Sequence, residues 1–150
     1  EQGLFILAEA RRRLGAAYES VVRKRALVAC AEGNDHTMGA MCVKLLLEDA
    51  GFDVLYLGAN LPTVELPLLI RGARSALLCL AHSPALAPEA VLRHARLVNR
   101  LCDDPTTVVV HGGASFARLA AAETENLLCF DDLKSFRLWF AHAFPAGSER

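Results

Sequence analysis

No apolar run in this 150-residue chain reaches the ~18 residues that a helical membrane span requires, and no signal peptide opens it. A cytoplasmic protein is the expectation. Cysteine is sparse and unpatterned: Cys30, Cys42, Cys79, Cys102 and Cys129 form no Cys-x-x-Cys pair and lack the histidine spacing of a zinc site. That argues against a metal knuckle or a disulfide framework and for buried thiols in a reducing compartment. No Gly-x-Gly-x-x-Gly and no phosphate-binding Walker loop follows the first apolar run, so nucleotide cofactors are not expected. A nucleophile elbow for Ser-His-Asp hydrolysis is missing too. Neither sign of charge dominates. With 16 basic and 17 acidic residues the formal charge is −1, which leaves no electrostatic footprint for nucleic acid or an anionic membrane. Arg11-Arg12-Arg13 and Arg23-Lys24-Arg25 are local basic clusters and read as a solvated helix face. The chain starts at Glu1, without Met and inside a helical pattern, so the natural protein is expected to be longer.

What is present is a regular alternation. Hydrophobic residues make up 53% and charged ones 22%, enough for one domain with a single core. Leu4, Leu7, Ala8, Leu14, Tyr18, Val21 and Val22 give residues 1–24 a helical apolar stripe. Strands are expected at 25–30, 54–57, 76–81, 107–110 and 127–129, because each is a short apolar run bounded by charge, glycine or proline. Between them the pattern predicts helices over 38–50, from Pro62 to just before Gly72, over 88–102 and over 115–124. A last helix, capped by Asp131-Asp132, carries Leu133, Phe136, Trp139, Phe140 and Phe144 inward. In the first of these helices Met38, Met41, Cys42, Leu45 and Leu46 mark the apolar face, and Gly51 stops it. Strands alternating with helices imply a parallel sheet covered on both sides. The expectation is an α/β, flavodoxin-like, doubly wound five-stranded domain over 25–144, with an extra N-terminal helix (1–24) and a tail (145–150).

The chain turns on Asn34-Asp35-His36-Thr37-Met38-Gly39, the loop at the carboxyl end of the first strand, where open α/β sheets bind their ligands. This loop resembles the hallmark of the cobalamin-binding domain family, Asp-x-His-x-x-Gly, with His36 and Gly39 in place and Asn34 where the family carries a carboxylate. Phe52 to Pro62 resembles the family's second strand and following loop, and Val109-Val110-His111-Gly112-Gly113-Ala114 its Gly-Gly segment after strand four. The resemblance covers about residues 25–140.

It implies a haem- or cobalamin-binding site, or a descendant that binds no cofactor. His36 is the expected metal ligand, since imidazole suits cobalt and iron. Asn34, Gly39, Ala81, His82, Ser83, Gly112 and Gly113 are the other expected cofactor-contacting residues. A metal-bound histidine ordinarily passes its second N–H to a carboxylate; Asn34 accepts that bond without adding charge, which argues for sensing over catalysis. The family ends strand three in Ser-x-Leu, whose hydroxyl anchors the cofactor's nucleotide base. Here the chain offers Cys79-Leu80-Ala81 or, shifted, Ala81-His82-Ser83, and a tail-less tetrapyrrole such as haem needs no such anchor. Gly112-Gly113 leads to a helix start that suits a phosphate or a macrocycle edge. His94 and His142 are expected to face solvent.

The reading favoured on these grounds is a sensory, non-enzymatic tetrapyrrole-binding domain of a transcription-regulating protein. It is similar to the haem-binding variant found in light- and redox-responsive photoreceptor antirepressors, and a transcriptional repressor or an upstream sensor domain is its expected partner. No direct contact with nucleic acid or membrane is expected. Two alternatives stand beside it: the corrinoid-carrying domain of a methyltransferase or mutase, and a cofactor-free protein-interaction domain.

Overall fold

The computed structural model describes residues 23–146. Five parallel strands, β1 (Arg25–Ala31), β2 (Asp53–Leu61), β3 (Leu77–Ala81), β4 (Val108–Gly112) and β5 (Cys129–Phe130), form one sheet in the order β2-β1-β3-β4-β5. Four α-helices cover it: α1 (Met38–Asp49), α2 (Leu66–Ala73), α3 (Pro88–Leu101) and α4 (Leu133–Ala143). This is the expected doubly wound architecture. The expected N-terminal helix falls almost wholly outside the described residues. Among the described residues no helix is long and apolar enough to cross a membrane.

The strand pleat divides the core in two. Val28, Cys30, Cys79 and Val110 point to one face and pack with Ala40 and Leu47 of α1 and Phe136 and Phe140 of α4. Leu27, Ala29, Leu78 and Leu80 point to the other and meet Leu66 and Ile70 of α2 and Val98 of α3. A side-chain period of two makes this division automatic for strands buried on both faces. β1 and β3 are neighbours, yet β1 continues into α1 on one face and β3 into α3 on the other. Their loops therefore part at the carboxyl edge and leave a crevice.

Several local expectations need correction. The apolar face expected on α1 is only partly the inner one: Leu46 packs against the core and Cys42 is half-buried, but Met38 (77% exposed), Met41 and Leu45 face outward, while Ala40, Val43 and Leu47 face the sheet. Both sets are apolar at helical spacing, and the small Ala40 wins the inner side because it lets the helix lie close to the strands. The second helix does not run from Pro62 to just before Gly72; a 3-10 turn (Thr63–Glu65) precedes α2, which ends past Gly72 at the left-handed Arg74. The helix expected over 115–124 is only a 3-10 segment, Ala114–Arg118, followed by turns. Leu119 is extended, and a Glu123 carboxylate oxygen takes the Ala120 N–H at 2.7 Å in a local turn.

Candidate functional site

At the carboxyl edge, on the face covered by α1 and α4, a cavity of about 290 Å³ opens between the strand ends and the two helices. Its wall is made by Val28, Cys79 and Val110 from the sheet, Ala40 and Val43 from α1, and Phe130, Leu133 and Phe136 around α4, with Asp131 and Asp132 at the rim. Burial pushes the Cys79 thiol up, so it remains a neutral S–H in this wall. The volume sits at the small end of ligand sites. It suits a planar apolar appendage, not a whole macrocycle.

The structure brings His36, Asn34, Gly39, Ala81, His82, Gly112 and Gly113 to this cavity. His36 is exposed and its imidazole makes no hydrogen bond, so both ring nitrogens are available. Asn34 is buried and fully engaged elsewhere. Its Nδ2 donates to the Ala81 carbonyl at 2.8 Å and its Oδ1 accepts the His36 main-chain N–H at 2.9 Å, while its own carbonyl accepts from Asn60 N at 2.9 Å. The expected contact from Asn34 to the His36 ring is therefore replaced by a main-chain one. An Asp could not substitute freely at this position, because only an amide offers a donor to Ala81 and an acceptor to His36 at once.

Ser83 is not in the cavity wall; it is buried, and its Oγ accepts the Ala85 N–H in a local turn. Of the two expected anchors, Cys79 alone faces the cavity. Gly113 has φ of +148°, and a Cβ there would lie 3.0 Å from the His82 carbonyl oxygen, so glycine is required by both conformation and space. The five-residue 3-10 segment beyond it is too short to provide the expected helix-terminus anion site.

Sequence reasoning missed what lies on the other face. His82 and His111 are buried there, His82 edge to face with Phe116 at 5.6 Å, and His94 is half-buried, contrary to the expectation that it faces solvent. His142 is exposed, as expected. Two hydrogen-bonded chains run through this layer. In one, Glu32 Oε2 accepts from both the main-chain N–H and the hydroxyl of Thr63 at 2.9 Å, and Thr63 Oγ1 lies 2.6 Å from His94 Nε2. The hydroxyl proton is committed to the carboxylate, so His94 must donate through Nε2–H. In the other, Asn99 Oδ1 lies 2.7 Å from His111 Nε2, and His111 Nδ1 lies 2.9 Å from His82 Nε2. The rings of His82 and His94 meet edge to face at 5.4 Å. Thr63's backbone and hydroxyl bonds hold the Glu32 carboxyl below its usual range. Burial, then the neighbouring histidines, push His82 well below the usual imidazole range; burial and His94 take His111 to about 3. Both are neutral at physiological pH.

No protein-family model matches the chain, and no curated protein sequence matches it. Solved structures do. A cobalamin-binding protein from Desulfitobacterium hafniense DCB-2 superposes with a TM-score of 0.61 at 17% identity, over 80% of this chain and 58% of that one. The monomethylamine corrinoid protein of Methanosarcina barkeri gives 0.60 at 17%, over 80% and 57%. The methanol:cobalamin methyltransferase complex MtaBC of the same organism gives 0.61 at 17%, over 83% and 47%. The chain thus spans about half the length of these proteins and shares their five-stranded α/β fold.

Proposed function

We propose that this chain is a corrinoid-binding module in which His36 ligates cobalt from the carboxyl edge and the cavity receives the cofactor's nucleotide base. The cavity carries the reading. It lies directly behind His36, between the sheet and helices α1 and α4, and its apolar wall and modest size match a flat heterocycle. A haem has no such appendage, so the cavity favours cobalamin over haem. The fold shared with a cobalamin-binding protein, a corrinoid protein and a cobalamin methyltransferase complex supports the same choice. In this role the domain holds the cofactor and makes no bonds itself. Cobalt supplies the ligand-exchange or group-carrying chemistry; His36 holds it, and Gly112 and Gly113 let the macrocycle approach the backbone.

A corrinoid carrier serving a methyltransferase is the first use. A sensory module that captures a transcriptional repressor is the second, and Asn34 favours it: with both amide atoms bonded to main chain, no carboxylate raises the basicity of the His36 ring.

Titrating the purified protein with aquocobalamin and, separately, with haemin tests the proposal. Cobalamin should bind with a shifted visible spectrum that His36→Ala abolishes, without a change in the unfolding midpoint beyond about 0.5 kcal/mol, because His36 is exposed and unbonded. Binding of haemin alone, or a cobalamin spectrum indifferent to His36→Ala, overturns it.

A further inference from the structure

The floor of the cavity is a row cut straight across the sheet. Val28, Cys79 and Val110 are register partners on β1, β3 and β4, and all three side chains point to the face covered by α1 and α4. Ala40 and Val43 of α1 and Phe136 of α4 complete the inner lining. Main-chain polar groups along this row are bonded between neighbouring strands. Polar side chains at the cavity are either committed or stand at its mouth. Both amide atoms of Asn34 are bonded to main chain, and Asp132 caps α4 through the Ser135 N–H. The rings of His82 and His111 lie on the opposite face, bonded to each other. His36, Gly39 and Asp131 are exposed and mark the mouth. What remains inside is the Cys79 thiol, which burial keeps protonated. A thiol is only a weak donor and a weak acceptor. The inner edge of a guest therefore meets hydrocarbon and one sulfur.

We infer that this cavity sorts corrinoids by their nucleotide base: it takes a base whose inserted edge is hydrocarbon, a dimethylbenzimidazole or a phenol, and discriminates against a purine, with Cys79 setting the limit. The inference rests on the corrinoid reading and names the class of corrinoid which that reading leaves open. A dimethylbenzimidazole released from cobalt carries two methyl groups and one bare ring nitrogen; a phenol joined to its sugar through oxygen carries no ring nitrogen. An adenine carries several ring nitrogens and an amino group, and each one that enters gives up water without gaining a partner. Valine, alanine and phenylalanine cannot offset that loss, and the thiol offsets little of it. Cys79→Ser would set a hydroxyl donor in the same place, so the exchange of one sulfur for one oxygen governs how much base polarity the floor tolerates.

Cobalamin, its adenine and p-cresol counterparts, and cobinamide, which carries no base, are titrated by visible absorbance against the wild-type protein and Cys79→Ser. The wild type should bind cobalamin at least about tenfold more tightly than the adenine form. Adenine is the weaker ligand to its own cobalt, so the cost of freeing the base opposes this order and cannot produce it. Cys79→Ser should shift the ratio of cobalamin to p-cresol affinities toward cobalamin by at least about threefold, because only the benzimidazole has a ring nitrogen for the hydroxyl. In that ratio the free-ligand costs cancel, since wild type and variant meet the same two ligands. An adenine form that the wild type binds within about threefold of cobalamin, or a ratio that Cys79→Ser leaves unchanged, overturns the inference. Cobinamide binding that His36→Ala abolishes leaves the corrinoid reading intact in either case. Failure of all these ligands to bind removes the corrinoid reading itself.

Discussion

On the face of the sheet covered by α1 and α4, the strand ends border an apolar cavity; on the face covered by α2 and α3, the same strand ends are closed by side chains bonded to one another. Neighbouring residues produce the two outcomes. Val110 faces the cavity and His111 the network, and Cys79 faces the cavity while Leu80 faces the closed side. The difference shows how one edge can be receptive and rigid at once. An apolar wall leaves room for a flat apolar group without stranding any polar atom. A satisfied polar network ties the loops after β1, β2 and β3 to helix α3 and holds that wall in place. Glu32, Thr63 and His82 are the points at which the three loops join the network.

The contrast is easiest to break with acid. His82 and His111 are neutral in the fold and ordinary imidazoles when unfolded, so below about pH 6.5 the unfolded chain binds protons that the native one refuses. Their contribution is intact above that value and is lost as the pH falls below it, for His111 down to about 3. Lowering pH from 7 to 5 should therefore cost about 2 kcal/mol for His111, and His82 should add a loss of the same sign. Denaturant midpoints measured across this range check it, and a flat profile would mean that the histidines are not sealed. Asn34→Ala should come next, at about 3 kcal/mol, because it strands the Ala81 carbonyl and the His36 N–H on the rim. Chemical unfolding of the single variant reads this directly. Smallest in stability, and sharpest in function, is Cys79→Phe. Filling the cavity should change the unfolding free energy by no more than about 1.5 kcal/mol, yet weaken cobalamin at least about tenfold, leaving cobinamide within twofold. Equal losses for the two ligands would show that the nucleotide base does not enter the cavity.

The open half of this edge was the more legible in sequence. Its strands are uninterrupted apolar runs, and the loop from Asn34 to Gly39 sits where a β-to-α turn must emerge. Local spacing alone therefore located the sheet, the crevice and His36. The face of α1 was misread in part, because Met38, Met41 and Leu45 repeat on its outer side at the same period that Ala40, Val43 and Leu47 keep on its inner side, and only Leu46 of the expected set packs against the core. The closed half left no local signal. His94 contacts Thr63 across 31 positions and His82 contacts His111 across 29, so their partnership exists only once the strands are in register. A sequence clue was present all the same: three of the five histidines fall after β3, in α3 and in β4, elements that meet beneath one edge. Asn34, chosen as a neutral stand-in for a carboxylate, proved to be a stitch between β1, β2 and β3.

The outermost strand loses step with its neighbour. Between Val28 and Ala31 the pairing of β1 with β2 slips twice, and Gly58 and Asn60 take positive φ angles on the slipped side. A ribbon kinked in this way offers an incoming chain few successive N–H and C=O groups in line, so another copy cannot simply zip onto it. Along that flank the sheet thus carries a built-in obstacle to open-ended growth by strand addition.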